Sequence, residues 1–206
     1  GFYFRNMDYN SPRSIKNRVL GMGNVTSVEK DCEIALFCGL PVTYSRDFEE
    51  LKINSWIPAE APIFTSALPT LTLDNIILVS DTIRRYHFTV AGPDSMDIYL
   101  SPKEAISFLN ISLNAFVPTE QPLWHNRPTL YILYANGKEN VPLHFFVDFE
   151  VPEDWNELVV DIAVVGKYNQ ADDNVYTEEF QDFINSFPDW TVLTRIALAH
   201  YESWIY

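Results

Sequence analysis

The first residues to suggest chemistry are Cys32 and Cys38, the only cysteines in the chain, which lie in the stretch DCEIALFCGLP. They offer three alternatives: a disulfide bond, half of a metal site, or two idle thiols in the core. A zinc site needs about four ligands, and the sequence has no other cysteine to supply them. A redox-active pair more typically has the spacing Cys-x-x-Cys.

A disulfide between these cysteines places a condition on the local backbone. Thr26 and Glu29 have the spacing of a capping box, which predicts a helix starting there. Residues six positions apart in a continuous helix are separated by about 9 Å from the rise alone. A disulfide spans at most about 7 Å between Cα atoms. The helix must therefore break between the cysteines or at Cys38, and Gly39 and Pro41 favour such a break.

Two glycosylation sequons bear on the compartment. Asn24-Val25-Thr26 and Asn110-Ile111-Ser112 both fit Asn-x-Ser/Thr without proline. A lone sequon is weak evidence, but two sequons, a close cysteine pair and an acidic, aromatic composition together indicate a secretory compartment. We therefore predict that the two cysteines are bonded to each other. We also predict that Asn24 and Asn110 lie on the surface and carry glycans in a eukaryotic lumen.

Histidines and carboxylates give no clear site. The histidines are scattered, without a close metal-binding spacing such as His-Glu-x-x-His: His87, His125, His144 and His200. His144 and Asp148 could share the outer face of a strand, although the polar face of a strand normally carries such residues. The run Asp172-Asp173-Asn174 fails the spacing of an EF-hand and is more typical of a turn.

Motifs for catalysis are absent from the sequence. No Gly-x-Ser-x-Gly elbow is present, which leaves a serine hydrolase without support. Carboxylates are plentiful, so the paired acids of a glycosidase remain possible, but nothing distinguishes any two of them. The sequence therefore predicts no catalytic residue, no metal ligand and no cofactor within this chain.

The charge of the chain excludes some partners. With 14 basic and 28 acidic side chains, the formal net charge is −14. A phosphate backbone or an anionic lipid surface needs a basic patch, so we expect neither nucleic acid nor direct membrane insertion. No stretch approaches the roughly 20 apolar residues of a spanning helix.

Short β-branched and aromatic segments, each closed by Gly, Pro, Asn or Asp, predict an antiparallel β-sandwich with one or two short helices. We expect a single domain over residues 1–206. The strand segments are residues 70–80, 84–92, 96–102, 105–117, 129–135, 143–152 and 158–168. Asn136-Gly137 is the best hairpin turn.

The pattern within these segments predicts which side chains are buried. Phe145, Val147, Phe149 and Val151 share one strand face, as period-two alternation requires. The same alternation places Asn110 on the face that also carries Phe108, and predicts burial of Leu109, Ile111 and Leu113. Around Asn110 the pattern therefore assigns five side chains to one strand face or the other: Phe108, Leu109, Asn110, Ile111 and Leu113.

One helix and the tail complete the expected elements. The stretch TEEFQDFINSF predicts a helix capped by Thr177 and ended by Pro188, with an apolar face. That face consists of Phe180, Phe183, Ile184 and Phe187. Alternation over residues 191–199 predicts a strand, with the tail from Trp190 to Tyr206 packed on the core.

Several stretches in this order resemble one family. They are residues 1–15, 32–41, 55–62, 87–102 and 187–206. Together they are similar to the C-terminal lumenal domain of endoplasmic reticulum metallopeptidase 1, also called Felix-ina, and more distantly to vacuolar membrane proteases. The most specific parts are Gly92-Pro93-x-x-Met96 and Pro-Asp-Trp-Thr at 188–191.

The resemblance implies a role outside catalysis for this chain. In that family an N-terminal zinc aminopeptidase-type domain faces the lumen of the endoplasmic reticulum, membrane helices follow, and this domain comes last. The zinc ligands and the catalytic acid of the family lie in the peptidase domain, and none maps onto this chain. The chain is then a fragment or processed product of a membrane protein.

Two functions therefore remain open. The first is a non-catalytic lumenal accessory domain that packs on its own peptidase and membrane domains, or self-associates. The alternative is a carbohydrate- or peptide-binding sandwich that uses Trp56, Trp124 and Trp155, which lie beside prolines. Plugging the ends of the sandwich is the other explanation for these tryptophans, because aromatic side chains dominate cores.

Overall fold

A computed structural model of the chain describes residues 1–5, 10, 13–41, 55–113, 120–136, 141–168, 174–193 and 197–206. Strands in this part are β1 (Phe2–Phe4), β2 (Thr26–Ser27), β3 (Ser55–Ile57), β4 (Ile63–Phe64), β5 (Thr70–Leu78), β6 (Ile83–Ala91), β7 (Ser95–Pro102), β8 (Ser107–Ile111), β9 (Leu123–Trp124), β10 (Arg127–Pro128), β11 (Leu130–Ala135), β12 (Leu143–Glu150), β13 (Val160–Tyr168), β14 (Asn174–Val175) and β15 (Leu198–Ile205). Helices are α1 (Asp31–Ile34) and α2 (Glu178–Asn185), with 3₁₀ turns at Met22–Asn24 and Leu36–Gly39.

Two antiparallel four-stranded sheets form the sandwich, which confirms the predicted fold. The outer sheet has the order β5-β6-β12-β8, and the inner sheet has the order β11-β7-β13-β15. Every predicted strand segment from residue 70 to residue 168 contains one of these strands. The main core lies between the sheets, and there Val147 and Phe149 are fully buried, as the alternation predicts.

Strand β13 is buried on both of its faces. Ile162 and Val164 point into the main core, whereas Ala163 and Val165 contact a second apolar cluster on the other side of the inner sheet. That cluster includes Cys32, Leu36, Phe37, Cys38 and Leu40, which cover the inner sheet from outside. A strand covered on both faces has apolar side chains at successive positions, which explains the run Ile162-Ala163-Val164-Val165 in β13.

Helix α2 anchors a third cluster formed with the start of the chain. Its predicted cap is confirmed, because the Thr177 hydroxyl oxygen accepts a hydrogen bond from the Phe180 backbone N–H at 3.2 Å. Phe183 is buried and stacks on Phe2, with ring centroids 5.0 Å apart. The other members of the predicted apolar face, Phe180, Ile184 and Phe187, pack around them.

The predictions of local structure near Thr26 and around Asn110 were wrong. The helix near Thr26 begins only at Asp31, and Thr26 instead lies in β2. The pattern around Asn110 fails at a bulge, where Asn110 pairs with Asp148 and Phe108 with Phe149, leaving Leu109 as an extra residue. Phe108 therefore turns toward the core and Leu109 is 44% exposed, the reverse of the prediction.

The tail agrees with the prediction only in its second half. Trp190 and Val192 are 58% and 80% exposed, and the strand starts at Leu198. Trp204 and Tyr206 pack against the main core as predicted, whereas Ile205 is exposed. The expected hairpin at Asn136-Gly137 is also wrong, because β11 and β12, the strands on either side of it, lie in different sheets and do not pair. Gly137 itself, residues 194–196 and Asp172-Asp173 lie outside the described part of the chain.

Candidate functional site: the cap and the outer sheet face

Residues 28–40, which we call the cap, contain the two cysteines. The structure joins Cys32 and Cys38 by a disulfide with an Sγ–Sγ distance of 2.00 Å, and both side chains are buried. The chain meets the condition set by helix geometry by ending α1 at Ile34. Ala35 is extended, with φ −126° and ψ 134°. The break thus lies between the cysteines, four residues before the glycine that the sequence suggested.

After this break the chain turns back through two left-handed residues. Phe37 and Cys38 have φ values of 51° and 59°, which is unusual for residues other than glycine. This turn places the Phe37 ring on the buried Tyr99 ring of β7, with centroids 4.1 Å apart. The Tyr99 hydroxyl donates a hydrogen bond to the Leu40 carbonyl at 3.1 Å. The cap is therefore held to the inner sheet by stacking as well as by apolar burial.

A short hairpin fixes the other side of the cap. Strands β9 and β10 are joined by His125 and Asn126, both left-handed, as in the two-residue hairpin turns that match strand twist. The Trp124 indole N–H donates to the Cys32 carbonyl at 2.9 Å, and His125 Nε2 lies 2.7 Å from the Glu33 carbonyl, to which it donates. The disulfide loop is thus clamped between the hairpin and the sheet.

Ion pairs extend this clamp into the inner sheet. The Arg127 guanidinium lies over the Trp124 ring at 4.7 Å and donates to Asp161 at 2.6 Å. Lys103 donates to both oxygens of the same carboxylate at 2.8 Å. Both cations bond the same carboxylate, so the arrangement cross-links β10 and the end of β7 to β13.

The opposite side of the sandwich, the outward side of the outer sheet, carries a row of side chains that we call the outer face. Strand pairing aligns Ile77, Arg85, Asp148 and Asn110 across all four strands. Arg85 donates two hydrogen bonds to Asp148, at 2.7 and 2.9 Å, and its guanidinium lies 3.9 Å from the centroid of the Phe146 ring.

The ion pair has an electrostatic consequence for both partners. Hydrogen bonding from Arg85, aided by Asn110, holds the pKa of Asp148 below its usual value, although burial opposes this shift. The same hydrogen bond raises the pKa of Arg85. The pair is therefore charged at physiological pH and fixes the orientation of a guanidinium and an aromatic ring on this face.

His144 and Asp148, which the sequence placed on one strand face, have separate partners. The Thr89 hydroxyl donates to Asp74 at 2.6 Å, so it accepts from His144 Nδ1, which lies 2.8 Å away. Asp148 is occupied by Arg85. The two side chains do not form an acid–base pair.

A shallow cleft of about 520 Å³ lies beside this chain of hydrogen bonds. Asp74, Asn75, His87, Ser112 and His144 are among its lining residues. The buried His87 Nε2 has no hydrogen-bond partner among the residues that the structure describes. Those described residues also contain no group of three or more His, Cys, Asp or Glu side chains that could hold a metal ion.

With this geometry established, comparison with known proteins gives one match. The family model for the C-terminal domain of endoplasmic reticulum metallopeptidase 1 matches residues 1–204. The chain belongs to this family. No curated protein and no solved structure matches it. Within the described part of this metallopeptidase C-terminal domain, no helix is long and apolar enough to cross a membrane.

Gly92-Pro93-x-x-Met96, one of the two stretches that most specifically resemble the metallopeptidase family, has a packing role. A Cβ atom on Gly92 would approach the Met96 sulfur to 2.8 Å and the Pro69 Cα atom to 3.0 Å. A Cβ atom on Gly166 of β13 would come within 2.9 Å of the Pro93 ring. The stretch therefore joins β6 and β7 through a close backbone approach that only glycine permits.

The two sequons of this domain differ in their surroundings. Asn24 is exposed, and the Thr26 hydroxyl of its sequon donates to the Trp56 carbonyl at 3.3 Å. Asn110 is half-buried, and its Nδ2 donates a long hydrogen bond of 3.4 Å to Asp148. The Ser112 hydroxyl oxygen of the second sequon accepts from the Phe146 N–H at 2.9 Å. Glycosylation at either position stays a prediction.

The three tryptophans suggested for ligand stacking do not share a surface. Trp56 and Trp124 pack against the cluster around the cap, and Trp155 packs against the main core. Trp155 also accepts a hydrogen bond from Arg84 on its backbone carbonyl. All three residues are half-buried, two against the cap cluster and one against the main core, which is the arrangement expected of residues that close the sandwich.

Sequence reasoning missed Arg85, Phe146 and Tyr99 as organising residues. All three depend on which strands are neighbours and in which register, and strand register is set by pairing over long sequence separations. The sequence held one usable signal: alternation in HFFVDFEV places Phe146 and Asp148 on the polar face, where a large aromatic ring is unusual.

Proposed function

We propose that this chain is a non-catalytic accessory domain of a membrane-anchored zinc metallopeptidase, located in the lumen of the endoplasmic reticulum. It docks on the peptidase domain of the same protein, or on a partner, through the outer face. The observation that carries this proposal is the asymmetry of the sandwich. The cap covers the inner sheet from outside with an apolar cluster, whereas no apolar cluster of described residues packs on the outward side of the outer sheet, where His144 is exposed.

The chemistry of the outer face supports docking. Arg and aromatic side chains are enriched at protein interfaces, and Arg85 lies stacked on Phe146 in a fixed orientation. Because Asp148 already holds Arg85, binding would cost less side-chain entropy than ordering a free arginine. The cleft beside His87 and His144 offers a recess for a side chain of the partner.

A non-catalytic role is supported by the partners of the acid–base groups. In the part of the chain that the structure describes, Asp148, Asp161 and His144 each bond a neighbouring side chain. By resemblance, zinc belongs to the peptidase domain of the longer protein. The chelator-washed chain should therefore neither retain stoichiometric zinc nor hydrolyse peptides.

A lumenal location is supported by the disulfide, because such bonds persist in oxidising compartments. A glycan on Asn110 is compatible with docking, since Asn110 lies on the edge strand β8. Apart from Ser112, which follows β8, the cleft is lined by residues of β5, β6 and β12, so that part of the outer face would remain accessible.

Cysteine labelling tests the docking. Both native cysteines are bonded to each other, so a single introduced cysteine is the only free thiol in this chain. His144→Cys on the exposed outer face should react with a bulky maleimide in the 206-residue chain and far more slowly in the longer protein. Ile34→Cys, in the cap and 80% exposed, is the matched control and should react equally in both. Equal reactivity of His144→Cys in the two proteins would show that the outer face is free.

A further inference from the structure

Strand β5 forms one edge of the outer sheet, and no strand among the described residues pairs with its free side. The strand is unusually apolar and exposed toward its end. Ile76, Ile77, Leu78 and Val79 are 45%, 43%, 73% and 51% exposed, respectively. These four residues, which we call the edge segment, are consecutive, so both faces of the strand end are apolar.

The edge segment lacks the features that normally protect an edge strand. Natural edges carry charged side chains, proline or a covering element, because an open edge recruits other strands. The edge segment contains no charge and no proline. Asp74 lies before it, at an irregularity between Leu73 and Asn75.

The turn between β5 and β6 shows which backbone N–H and C=O groups of the edge segment point toward β6 and which point away from it. Val79 donates its N–H to the Ile83 carbonyl at 2.9 Å, so the Val79 N–H points toward β6. In an antiparallel ladder the two pair types alternate, and Leu78 pairs with Arg84 and Ile76 with Tyr86. The N–H and C=O groups of Ile76 and Leu78 therefore point away from β6, toward the free side.

We propose that the edge segment pairs with the edge segment of a second copy of this chain, antiparallel, about a two-fold axis at Ile77. In this register Ile76 lies opposite Leu78 of the second copy, and these residues exchange both backbone hydrogen bonds. Ile77 lies opposite Ile77 of the second copy as a non-hydrogen-bonded pair. The outward-pointing backbone groups of each copy thus satisfy those of the other.

The edge segment is complementary to itself, which favours a second copy of this chain as its partner. The central pairs in this register are apolar on both sides, and an isologous contact needs the same patch on both subunits. Asp74 falls opposite Ser80 of the second copy, so the two carboxylates are kept apart. The net charge of −14 opposes association at long range, so the dimer should tighten as salt rises.

Sedimentation equilibrium on the 206-residue chain, over a concentration series, tests the dimer. The unsubstituted chain should form dimers, more strongly at high salt. Leu78→Lys and Leu78→Pro should both be monomeric with unchanged circular dichroism, because the Leu78 N–H makes no bond to β6 and an edge strand tolerates such a proline. Ile34→Lys adds the same charge at a position 80% exposed in the cap, and should leave the dimer intact.

Cross-linking tests the register. In non-hydrogen-bonded pairs the Cα atoms are about 4.5 Å apart, within reach of a disulfide. Ile77→Cys should therefore give a covalent dimer on mild oxidation. Asn75→Cys should not, because Asn75 lies opposite Val79 of the second copy and the two introduced thiols are far apart. A chain that stays monomeric at all concentrations and salts overturns the proposal. So does a dimer that survives Leu78→Lys, or one that cross-links at position 75 but not at 77.

Discussion

The ring of Phe37 lies stacked on the ring of Tyr99, with centroids 4.1 Å apart and planes inclined by 16°. The contact joins the cap to the centre of the inner sheet across 62 positions of sequence. Phe37 is 3% exposed, so replacing it by alanine leaves a cavity that the clamped cap cannot close. Phe37→Ala should lower the free energy of unfolding by about 3–5 kcal/mol.

Urea denaturation followed by tryptophan fluorescence checks this value. Ile34→Ala in the same cap is the matched control, because Ile34 is 80% exposed. Its effect should stay within about 0.5 kcal/mol. Equal effects of the two substitutions would contradict the view that Phe37 anchors the cap.

The disulfide is expected to contribute less than this stacking contact. It closes a short loop, for which the loss of chain entropy in the unfolded state gives about 2 kcal/mol. Cys32→Ser with Cys38→Ser should therefore lower the unfolding free energy by roughly that amount. Mass spectrometry of the unreduced, unsubstituted chain should show the link directly. Reductant should weaken the unsubstituted chain and leave the double serine variant unchanged, whereas two free thiols in freshly secreted protein would reject the pairing.

The ion pair between Arg85 and Asp148 should make the stability of the fold depend on pH in the acidic range. Because Arg85 holds the pKa of Asp148 below its usual value, the folded state binds that proton less tightly than the unfolded chain. The pair therefore stabilises the fold above the ordinary aspartate pKa of about 4. This contribution is lost as pH falls through the lowered pKa of the folded state.

Asp148→Asn should accordingly show a shallower loss of stability with falling pH than the unsubstituted chain, measured as melting temperature at a series of acidic pH values. Arg85→Gln should flatten the curve in the same way. The two substitutions together should add little more, since each removes the same interaction. Parallel pH curves for all these proteins would show that the ion pair does not stabilise the fold.

Glycosylation of Asn24 and Asn110 should be visible in the chain secreted by eukaryotic cells. Asn24→Gln and Asn110→Gln should each remove the mass of one glycan, as should Thr26→Ala and Ser112→Ala, which leave the asparagines in place. Nδ2 of Asn110 keeps one hydrogen after linkage to a sugar, so its bond to Asp148 can persist. A chain of unmodified mass at either position would reject that site.

The sequence predicted elements whose side chains alternate regularly, and it failed where the backbone departs from regularity. β12 and β13 were predicted because a strand buried on one face has alternating apolar residues, and a strand buried on both faces has consecutive ones. Leu109 was assigned to the core because a bulge shifts the alternation by one residue, and the sequence carries no glycine or proline to mark it.

The candidate site was less predictable than the fold. The spacing of Cys32 and Cys38 required a break in the helix, and the break occurs at Ala35, a residue with no turn preference. Phe37 and Cys38 adopt left-handed conformations that their residue types disfavour, so packing on the inner sheet must hold them there. No local pattern can report a conformation that is imposed by tertiary contacts.

The last prediction concerns β15, the final strand of the inner sheet. It pairs along its length with β13, and Tyr206 exchanges backbone hydrogen bonds with Val160, at 2.9 and 3.0 Å. Deleting Leu198–Tyr206 would expose the edge of β13, an apolar strand with no charge other than Asp161 and Lys167. It would also remove Trp204 and Tyr206 from the main core.

Burial of a large apolar side chain contributes about 1.5–3 kcal/mol, and a typical domain has only about 5–15 kcal/mol of stability. The deleted chain should therefore be poorly secreted and should aggregate, because the newly exposed β13 edge can pair with other chains. Trp190→Ala with Val192→Ala is the control in the same tail. Both residues are largely exposed, so this variant should keep its melting temperature and its secretion. If the deleted chain were soluble with an unchanged melting temperature, β15 would not belong to the folded core and would instead be available to pair with a partner.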